Sequence, residues 1–256
     1  MLKNKIINLL NSLAKVVILF ERTVKASFQR PIEFKNIISQ MVEVGANSFP
    51  VTALTSFFTG MVLSLQAGYS SMYVFNEPLY VGTVVTFSLV KELGPVLTAV
   101  VLTGRIGAAI TAELGTMKVT EQIDALYTLG TNPVKYLSVP RFIACVSMIP
   151  ILTVLSDVVG VLGGFVIATL KLGIPSTVYW ADSFDYLRLT DFWHGLIKSV
   201  FFAGLLSIIS IYKGFECSGG AEGVGKATTS AVVTTLVLIL ISDYFLSALL
   251  VVFGIG

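Results

Sequence analysis

The sequence predicts an all-α integral membrane protein. Only 12% of its 256 residues are charged, whereas a soluble globular domain is about a quarter charged. The apolar residues, 55% of the chain, gather in runs of about 20 residues, the length at which a helix crosses a bilayer. We therefore expect a single domain over residues 1–256. Amphipathic interfacial helices occupy residues 1–48 and a bundle of about five transmembrane helices occupies residues 49–256.

The N-terminal segment has the pattern of an amphipathic helix lying in the membrane interface. Its apolar residues recur at helical spacing, and lysines and arginines interrupt them. No small-residue cleavage site follows an uninterrupted apolar core, so the pattern does not favour a signal peptide. Pro31 ends this helix, and a second amphipathic stretch leads to the membrane. The apolar residues of the first helix are Ile6, Leu9, Leu10, Leu13, Val16, Val17 and Phe20.

Five apolar runs predict the spans. Asn76, Glu77 and Pro78 are expected to form the turn between the first two. The second run is too long for a perpendicular span, and Pro95 within it supplies a kink site. The "GVLGGF" stretch of the third run allows close helix contact. A polar and aromatic loop follows the third run. The runs cover about 49–74, 79–114, 142–172, 192–212 and 228–253.

A polar insert separates the second and third spans, with the sequence "GTMKVTEQIDALYTLGTNPVKYLSVPR". Thr120 is expected to cap a short helix, with Glu121 in its first turn, where the helix dipole favours an anion. Gly130 suits the C-terminal end of that helix, and Asn132 with Pro133 prevents any continuation. The insert is therefore predicted to hold one short helix outside the bilayer.

The distribution of basic residues predicts the orientation. With a cytoplasmic N-terminus, twelve lysines and arginines fall in inside segments. Only two, Lys171 and Arg188, fall in outside segments. Cytoplasmic segments carry the excess of basic residues, so the N-terminus and the polar insert are expected in the cytoplasm.

Ionisable residues stand within the predicted spans, where one charge at the bilayer centre costs about 2.5–3.5 kcal/mol. One interpretation is ion pairing that only fixes helix packing. The other, which we favour, is a polar site facing a cavity or a subunit interface. An apolar cavity with a few polar groups would suit an amphiphile better than a bare ion. The residues are Lys91, Glu92, Asp157, Lys198 and Asp243, with Gln66 as an uncharged polar residue in the first span.

Metal and nucleic-acid sites are not supported. Cys145 and Cys217 are far apart without metal-type spacing, which favours free thiols. His194 is the only histidine and is expected to be an interfacial residue. The basic residues do not gather on one soluble face, so the net charge of +2 does not indicate nucleic-acid binding.

The stretch "GGAEGVGKAT" carries the spacing of a phosphate-binding loop at Gly220, Gly225 and Lys226. The next residue is Ala227 where a serine or threonine would bind magnesium, and no buried strand precedes the stretch. We expect a flexible cytoplasmic turn here.

Several motifs between Ser88 and Arg141 are similar to those of one membrane-protein family. The motifs are E-L-G-P at 92–95, G-R-x-G at 104–107, A-E-L-G at 112–115 and T-E-Q-I-D-A-L at 120–126. On these motifs the chain resembles the MlaE family of permeases. These are membrane subunits of ABC transporters that move phospholipids between the two membranes of double-membraned bacteria and, in relatives, of chloroplasts.

The resemblance implies a set of partners in the bacterial inner membrane. It implies a permease homodimer on two copies of a separate ATPase, a periplasmic MCE-domain lipid-binding protein, and often a STAS-domain protein. ATP and Mg²⁺ would bind the partner ATPase, and no cofactor is expected in this chain.

The resemblance also assigns residues. It places lipid binding or translocation at Gln66, Lys91, Glu92 and Lys198. Many relatives carry arginine at the position of Lys91, and lysine cannot make a bidentate phosphate contact. The segment from Val119 to Leu129 would be the coupling helix that docks on the ATPase. Its contact residues are Thr120, Glu121, Gln122, Ile123, Asp124 and Leu126.

One alternative from another class stays open. The chain could be a membrane scaffold, or an intramembrane enzyme that uses its buried carboxylates. No nucleophile, base and acid arrangement is recognisable in the sequence, so a transporter subunit without a catalytic site is the prediction.

Overall fold

The computed structural model describes residues 2–29, 33–75 and 80–254, and these residues form an all-α protein without strands. Pro31 and the predicted turn at 76–78 lie outside the described residues, as do the side chains of residues 2–9. The first three helices are α1 (Leu2–Ser27), α2 (Phe34–Val44) and α3 (Phe49–Phe75).

The second apolar run is a chain of short helices joined by widened turns. It comprises α4 (Val81–Ser88), a π-helical turn (Leu89–Leu93), α5 (Gly94–Leu102), a second π-helical turn (Thr103–Gly107) and α6 (Ala108–Val119). The insert helix α7 (Gln122–Thr128) follows.

The rest of the chain contains the longest helices. A third π-helical turn (Val134–Ser138) leads into α8 (Val139–Leu170), which is followed by α9 (Ser176–Asp185), α10 (Leu189–Phe215) and α11 (Gly220–Val252).

The prediction of five spans is confirmed. Within the described residues, five helical segments are long and apolar enough to cross a membrane. Their ends differ from the predicted ones, because polar residues extend the helices beyond the apolar runs. The segments are Phe34–Val74, Val81–Val119, Val134–Leu170, Leu189–Phe215 and Gly220–Val252.

Two sequence predictions about loops are wrong. The polar loop after the third span contains the ten-residue helix α9, whose Tyr179 is fully buried. The glycine-rich stretch at 220–226 is not a turn, because α11 begins at Gly220. The chain reverses at Gly219 and Gly220, which have positive φ. The Glu222–Lys226 ion pair of 2.7 Å then joins successive turns of α11.

The chain divides into two compact units. The first comprises Met1–Val44, Thr103–Ser147 and Gly204–Leu238. In this unit, Phe20 of α1 packs edge-on against Phe142 of α8, with ring centroids 6.0 Å apart. Lys15 pairs with Glu216 at 2.9 Å, and the hydrogen bond that its ammonium donates to this carboxylate raises the pKa of Lys15.

Helix α1 has the predicted amphipathic character. Thr23 and Ala26 are buried, whereas Leu10, Leu13 and Val17 are at least half exposed. The exposed residues recur three or four positions apart and so form one apolar stripe. Such a stripe suits contact with the bilayer, as expected for an interfacial helix.

The second unit comprises Gly45–Leu102, Met148–Ala203 and Ile239–Gly256. Glycines bring α3 and α8 into backbone contact, as the "GVLGGF" stretch predicts. A Cβ on Gly60 would collide with the carbonyl of Gly160, and a Cβ on Gly163 would collide with the carbonyl of Phe57. Tyr179 of α9 closes the outer part of the core by donating a hydrogen bond of 3.0 Å to the carbonyl of Val161.

Pro95 is accommodated by the π-helical turn before it. Proline lacks the N–H that would bond to the carbonyl four residues earlier, and its ring crowds that carbonyl. Here the turn Leu89–Leu93 is widened, and Pro95 is the second residue of the helix that follows. Widened turns of this kind are frequent at functional sites, and this one carries Lys91 and Glu92.

Candidate functional site

A buried ammonium group organises the polar residues of the second unit. Lys198 of α10 is fully buried. Its Nζ lies 2.8 Å from Oδ1 of Asp243 in α11 and forms a second ion pair with Glu92 of the π-helical turn. A buried charge is tolerated only when paired, so three segments of the chain must meet here.

Two further residues complete this group. Nε2 of His194 lies 3.7 Å from Oε1 of Glu92. The Ser247 hydroxyl has two acceptors within reach, the carbonyl of Asp243 at 2.9 Å and Oε1 of Glu92 at 3.2 Å. We call Glu92, His194, Lys198, Asp243 and Ser247 the Lys198 cluster.

Part of this cluster was not predicted from the sequence. His194 was expected to be an interfacial residue, but it is fully buried beside Glu92. It lies four residues before Lys198, on the same face of α10. Asp243 was noted as a membrane carboxylate without a site assignment, and Ser247 lies one turn after it on α11. These two i, i+4 pairs are the sequence signal that could have identified the cluster.

The Lys198 cluster reaches the surface of this chain through Glu92. The Glu92 side chain is 41% exposed, whereas Lys198 has no exposed surface. One ammonium faces two carboxylates, so the cluster carries net negative charge when His194 is neutral. Its exposed carboxylate can therefore attract a cationic group.

Lys91 belongs to a different group, although it precedes Glu92 directly. Consecutive residues of a helical turn point in different directions, so the two side chains take different partners. Nζ of Lys91 lies 3.5 Å from Oδ1 of Asp191 and 4.7 Å from the centre of the Phe87 ring. Lys91 and Arg188 line a small pocket of about 290 Å³ at the start of α10.

Gln66 lies apart from both groups. Its side chain is exposed on α3, and it makes no hydrogen bond or ion pair with the part of the chain that the structure describes. The structure thus joins Glu92 with Lys198, places Lys91 beside Asp191, and leaves Gln66 on an outer helix surface. Its role in lipid binding stays a prediction.

The insert helix α7 begins differently from the prediction. The Thr120 hydroxyl does not cap it and instead donates to the carbonyl of Thr116 at 2.8 Å. Glu121 precedes the helix with φ of 60° rather than lying in its first turn. The reason is that α6 continues to Val119, so Thr120 still belongs to its end.

The predicted C-terminal end of α7 is confirmed. Gly130 has φ of 73°. The N–H of Gly130 bonds to the carbonyl of Tyr127, and the N–H of Thr131 bonds to that of Leu126, each at 3.0 Å. This pair of bonds is the Schellman arrangement that ends a helix. The Asn132 side chain then accepts from the N–H of Val134 at 3.0 Å.

The surface of α7 combines polar and apolar residues. Ile123 is buried and Leu126 is half-buried, so both anchor the helix. Asp124 pairs with Lys118 at 3.0 Å. Tyr127 and Leu129, which the sequence analysis did not select, are 61% and 78% exposed. The remaining predicted contact residues, Thr120, Glu121 and Gln122, are exposed together with Asp124.

Comparison with known proteins identifies the family. The profile of the family described as Permease MlaE matches residues 37–249. A probable ABC transporter permease protein of Rickettsia typhi is 48% identical over 86% of this chain and 85% of its own length. One from Synechocystis is 44% identical over 90% of this chain and 91% of its own length. One from Pyropia yezoensis is 39% identical over 89% of each chain. The chain therefore belongs to the MlaE family of ABC transporter permeases.

Proposed function

We propose that this permease moves phospholipids between the inner and outer membranes of a bacterium, driven by a separate ATPase, with the Lys198 cluster on the lipid path. The observation that carries the proposal is the exposed carboxylate of Glu92 over the buried Lys198. An ionisable residue in a membrane helix faces a water-filled cavity or another protein, because contact with lipid tails is costly.

The exposure of Glu92 also supports a permease homodimer. Its own chain leaves the carboxylate 41% exposed. A second copy would enclose it in a shared cavity. A second copy would also cover α11, whose apolar segment is only 17% buried within this chain. In the proposed assembly the chain is a multi-pass inner-membrane protein with a cytoplasmic N-terminus, as the basic residues predict.

The chemistry of the polar groups fits a zwitterionic or anionic amphiphile. The Glu92 carboxylate suits the amine of a headgroup, and Lys91 offers a cation for a phosphate once its pair with Asp191 opens. The remainder of the spans is apolar and suits acyl chains. Periplasmic MCE-domain and STAS-domain partners follow from the family resemblance.

The ATPase is proposed to dock on α7 and the residues around it. Glu121 and Asp124 supply exposed negative charge, and Tyr127 and Leu129 supply exposed apolar surface. Interfaces combine these features, with aromatic residues as anchors.

Co-purification tests the proposal. The tagged permease, extracted from native membranes in mild detergent, should bring down an ATPase whose hydrolysis increases with added phospholipid. Replacing Glu121 and Asp124 with lysine should abolish both results while the permease stays folded. The matched control is Glu222→Lys, which reverses a 79% exposed carboxylate on α11.

Two outcomes would contradict this assignment. Unchanged co-purification and lipid-stimulated hydrolysis in the Glu121→Lys, Asp124→Lys variant would remove α7 from the ATPase contact. If the wild-type chain brings down no ATPase, the alternative of a membrane scaffold or intramembrane enzyme gains support.

A further inference from the structure

A second cavity in the same unit belongs to neither polar group described above. It has a volume of about 210 Å³ and lies between the second span, α8 and α9. Its walls are almost entirely apolar and include Val90, Val161, Trp180 and Phe192. We call this cavity the lateral pocket.

The rim of the lateral pocket faces outward along a membrane-spanning segment. Val158 and Leu162 of α8 line it and are 55% and 43% exposed. Helix α8 belongs to the segment Val134–Leu170, which has the length and composition of a span. In a bilayer the neighbours of such a rim are acyl chains, so lipid has direct access to the pocket.

Two polar atoms in the pocket wall have no partner. Thr86 is 3% exposed and Asp157 is 8% exposed. Thr86 Oγ1 and Asp157 Oδ1 make no hydrogen bond within the described part of the chain. A buried polar atom without a partner is costly, and native proteins contain few of them.

The buried threonines of the described residues fall into two groups. The hydroxyls of Thr111 and Thr153 each donate to the carbonyl four residues earlier, at 2.9 and 3.0 Å. This local bond is the usual solution for threonine in a helix. The hydroxyls of Thr86, Thr98 and Thr235 do not form it and have no partner within the described residues. Of these three residues only Thr86 lines the lateral pocket, so its hydroxyl is the one placed beside an occupant.

The occupant must be mainly apolar and carry a hydrogen-bond acceptor. An apolar cavity of about 150 Å³ holds benzene, so a 210 Å³ pocket holds a chain segment rather than a whole lipid. Near its glycerol end, an ester-linked acyl chain combines an apolar body with a carbonyl acceptor. An ionised Asp157 would be a buried, unpaired charge, so the neutral acid, which also donates, is the form compatible with this site.

We propose that the lateral pocket binds one ester-linked acyl chain of a bilayer lipid, with the Thr86 hydroxyl donating to the ester carbonyl. The headgroup stays outside the pocket. Val90 belongs to the same π-helical turn as Lys91 and Glu92, so the bound chain contacts the turn that orients both charges.

Tryptophan fluorescence tests occupancy directly. The chain has two tryptophans, and Trp180 lines the pocket. The full-length Trp193→Phe variant, reconstituted in nanodiscs, leaves Trp180 as the only reporter. Phosphatidylcholine brominated in the upper part of one acyl chain should quench its fluorescence.

Rim substitutions distinguish pocket lipid from bulk lipid. Val158→Phe and, independently, Leu162→Phe narrow the entrance and should both reduce the quenching. Leu155→Phe is the matched control, because Leu155 is 43% exposed on the same helix but does not line the pocket. Equal quenching in the rim and control variants would overturn the proposal, as would an absence of quenching in the parent protein.

The ester contact has its own test. Brominated ether-linked phosphatidylcholine lacks the carbonyl, so it should occupy the pocket about fivefold more weakly, as expected for one lost neutral hydrogen bond. Thr86→Val should abolish this preference and Thr86→Ser should retain it. Equal quenching by both lipids in the parent protein would refute the role of Thr86.

Discussion

Replacing Lys198 with methionine should destabilise the permease severely. Methionine keeps much of the apolar stem of Lys198 but removes the ammonium, leaving Glu92 and Asp243 without their cation. Breaking a buried ion pair from one side costs about 3–5 kcal/mol. The cost of leaving Glu92 without its cation is reduced by solvent more than the cost at Asp243, because Glu92 is 41% exposed and Asp243 is 23% exposed. We therefore expect a loss of about 3 kcal/mol, a large part of a typical folding free energy.

The assay is the fraction of monodisperse protein that survives a heat step, measured by size-exclusion chromatography. Glu92→Gln should be mild, because Asp243 still pairs with Lys198. Adding Glu92→Gln to Lys198→Met should recover only part of the loss, since Asp243 stays unpaired. Adding Asp243→Asn as well should recover most of it.

The control for this series is Lys226→Met, because Lys226 is a 76% exposed lysine whose removal should leave survival unchanged. Two results would refute the reasoning. One is survival of Lys198→Met equal to that of the wild type, and the other is survival of the triple variant no better than that of Lys198→Met.

Two further predictions concern packing and topology. Gly94→Ala would drive a methyl group into the Asp157 carboxylate and should cost about 1–3 kcal/mol of stability. Gly104→Ala, where a methyl group meets no neighbour within 4 Å, should show no such loss in the same thermal assay. For topology, an impermeant thiol reagent on intact spheroplasts should label Ser176→Cys and not Thr120→Cys. Both native cysteines are buried and give little background, and the opposite labelling would invert the proposed orientation.

Much of the fold was predictable because the length of each run of apolar residues is a strong signal in membrane proteins. The five spans follow from runs of apolar residues, and the close approach of α3 and α8 follows from glycine placement. The ends of the helices were less predictable. At 220–226 the glycines suggested a turn, yet Gly223 and Gly225 lie inside α11, where the Glu222–Lys226 pair joins its first turns.

From the sequence we could predict some residues of the site, but not most of the contacts between them. The cost of burying charge indicated Glu92 and Lys198, and the structure pairs them. Pairing with Asp243 and contact with His194 depend on how α10 and α11 pack, which local sequence does not specify. The family resemblance assigned Lys91 to the same lipid site as Glu92, whereas in the structure Lys91 pairs with Asp191.

The most direct test of the central claim is ATP-driven lipid transfer by the permease reconstituted in liposomes with its co-purified ATPase. A fluorescent phospholipid in the donor membrane reports the rate, and Glu92→Gln is compared with wild type at equal assembly. We predict that the wild type transfers lipid only with ATP. Glu92→Gln should slow transfer about tenfold, which corresponds to the loss of one charge-assisted hydrogen bond. Wild-type transfer that does not depend on ATP, or an unchanged rate in fully assembled Glu92→Gln, would contradict the account.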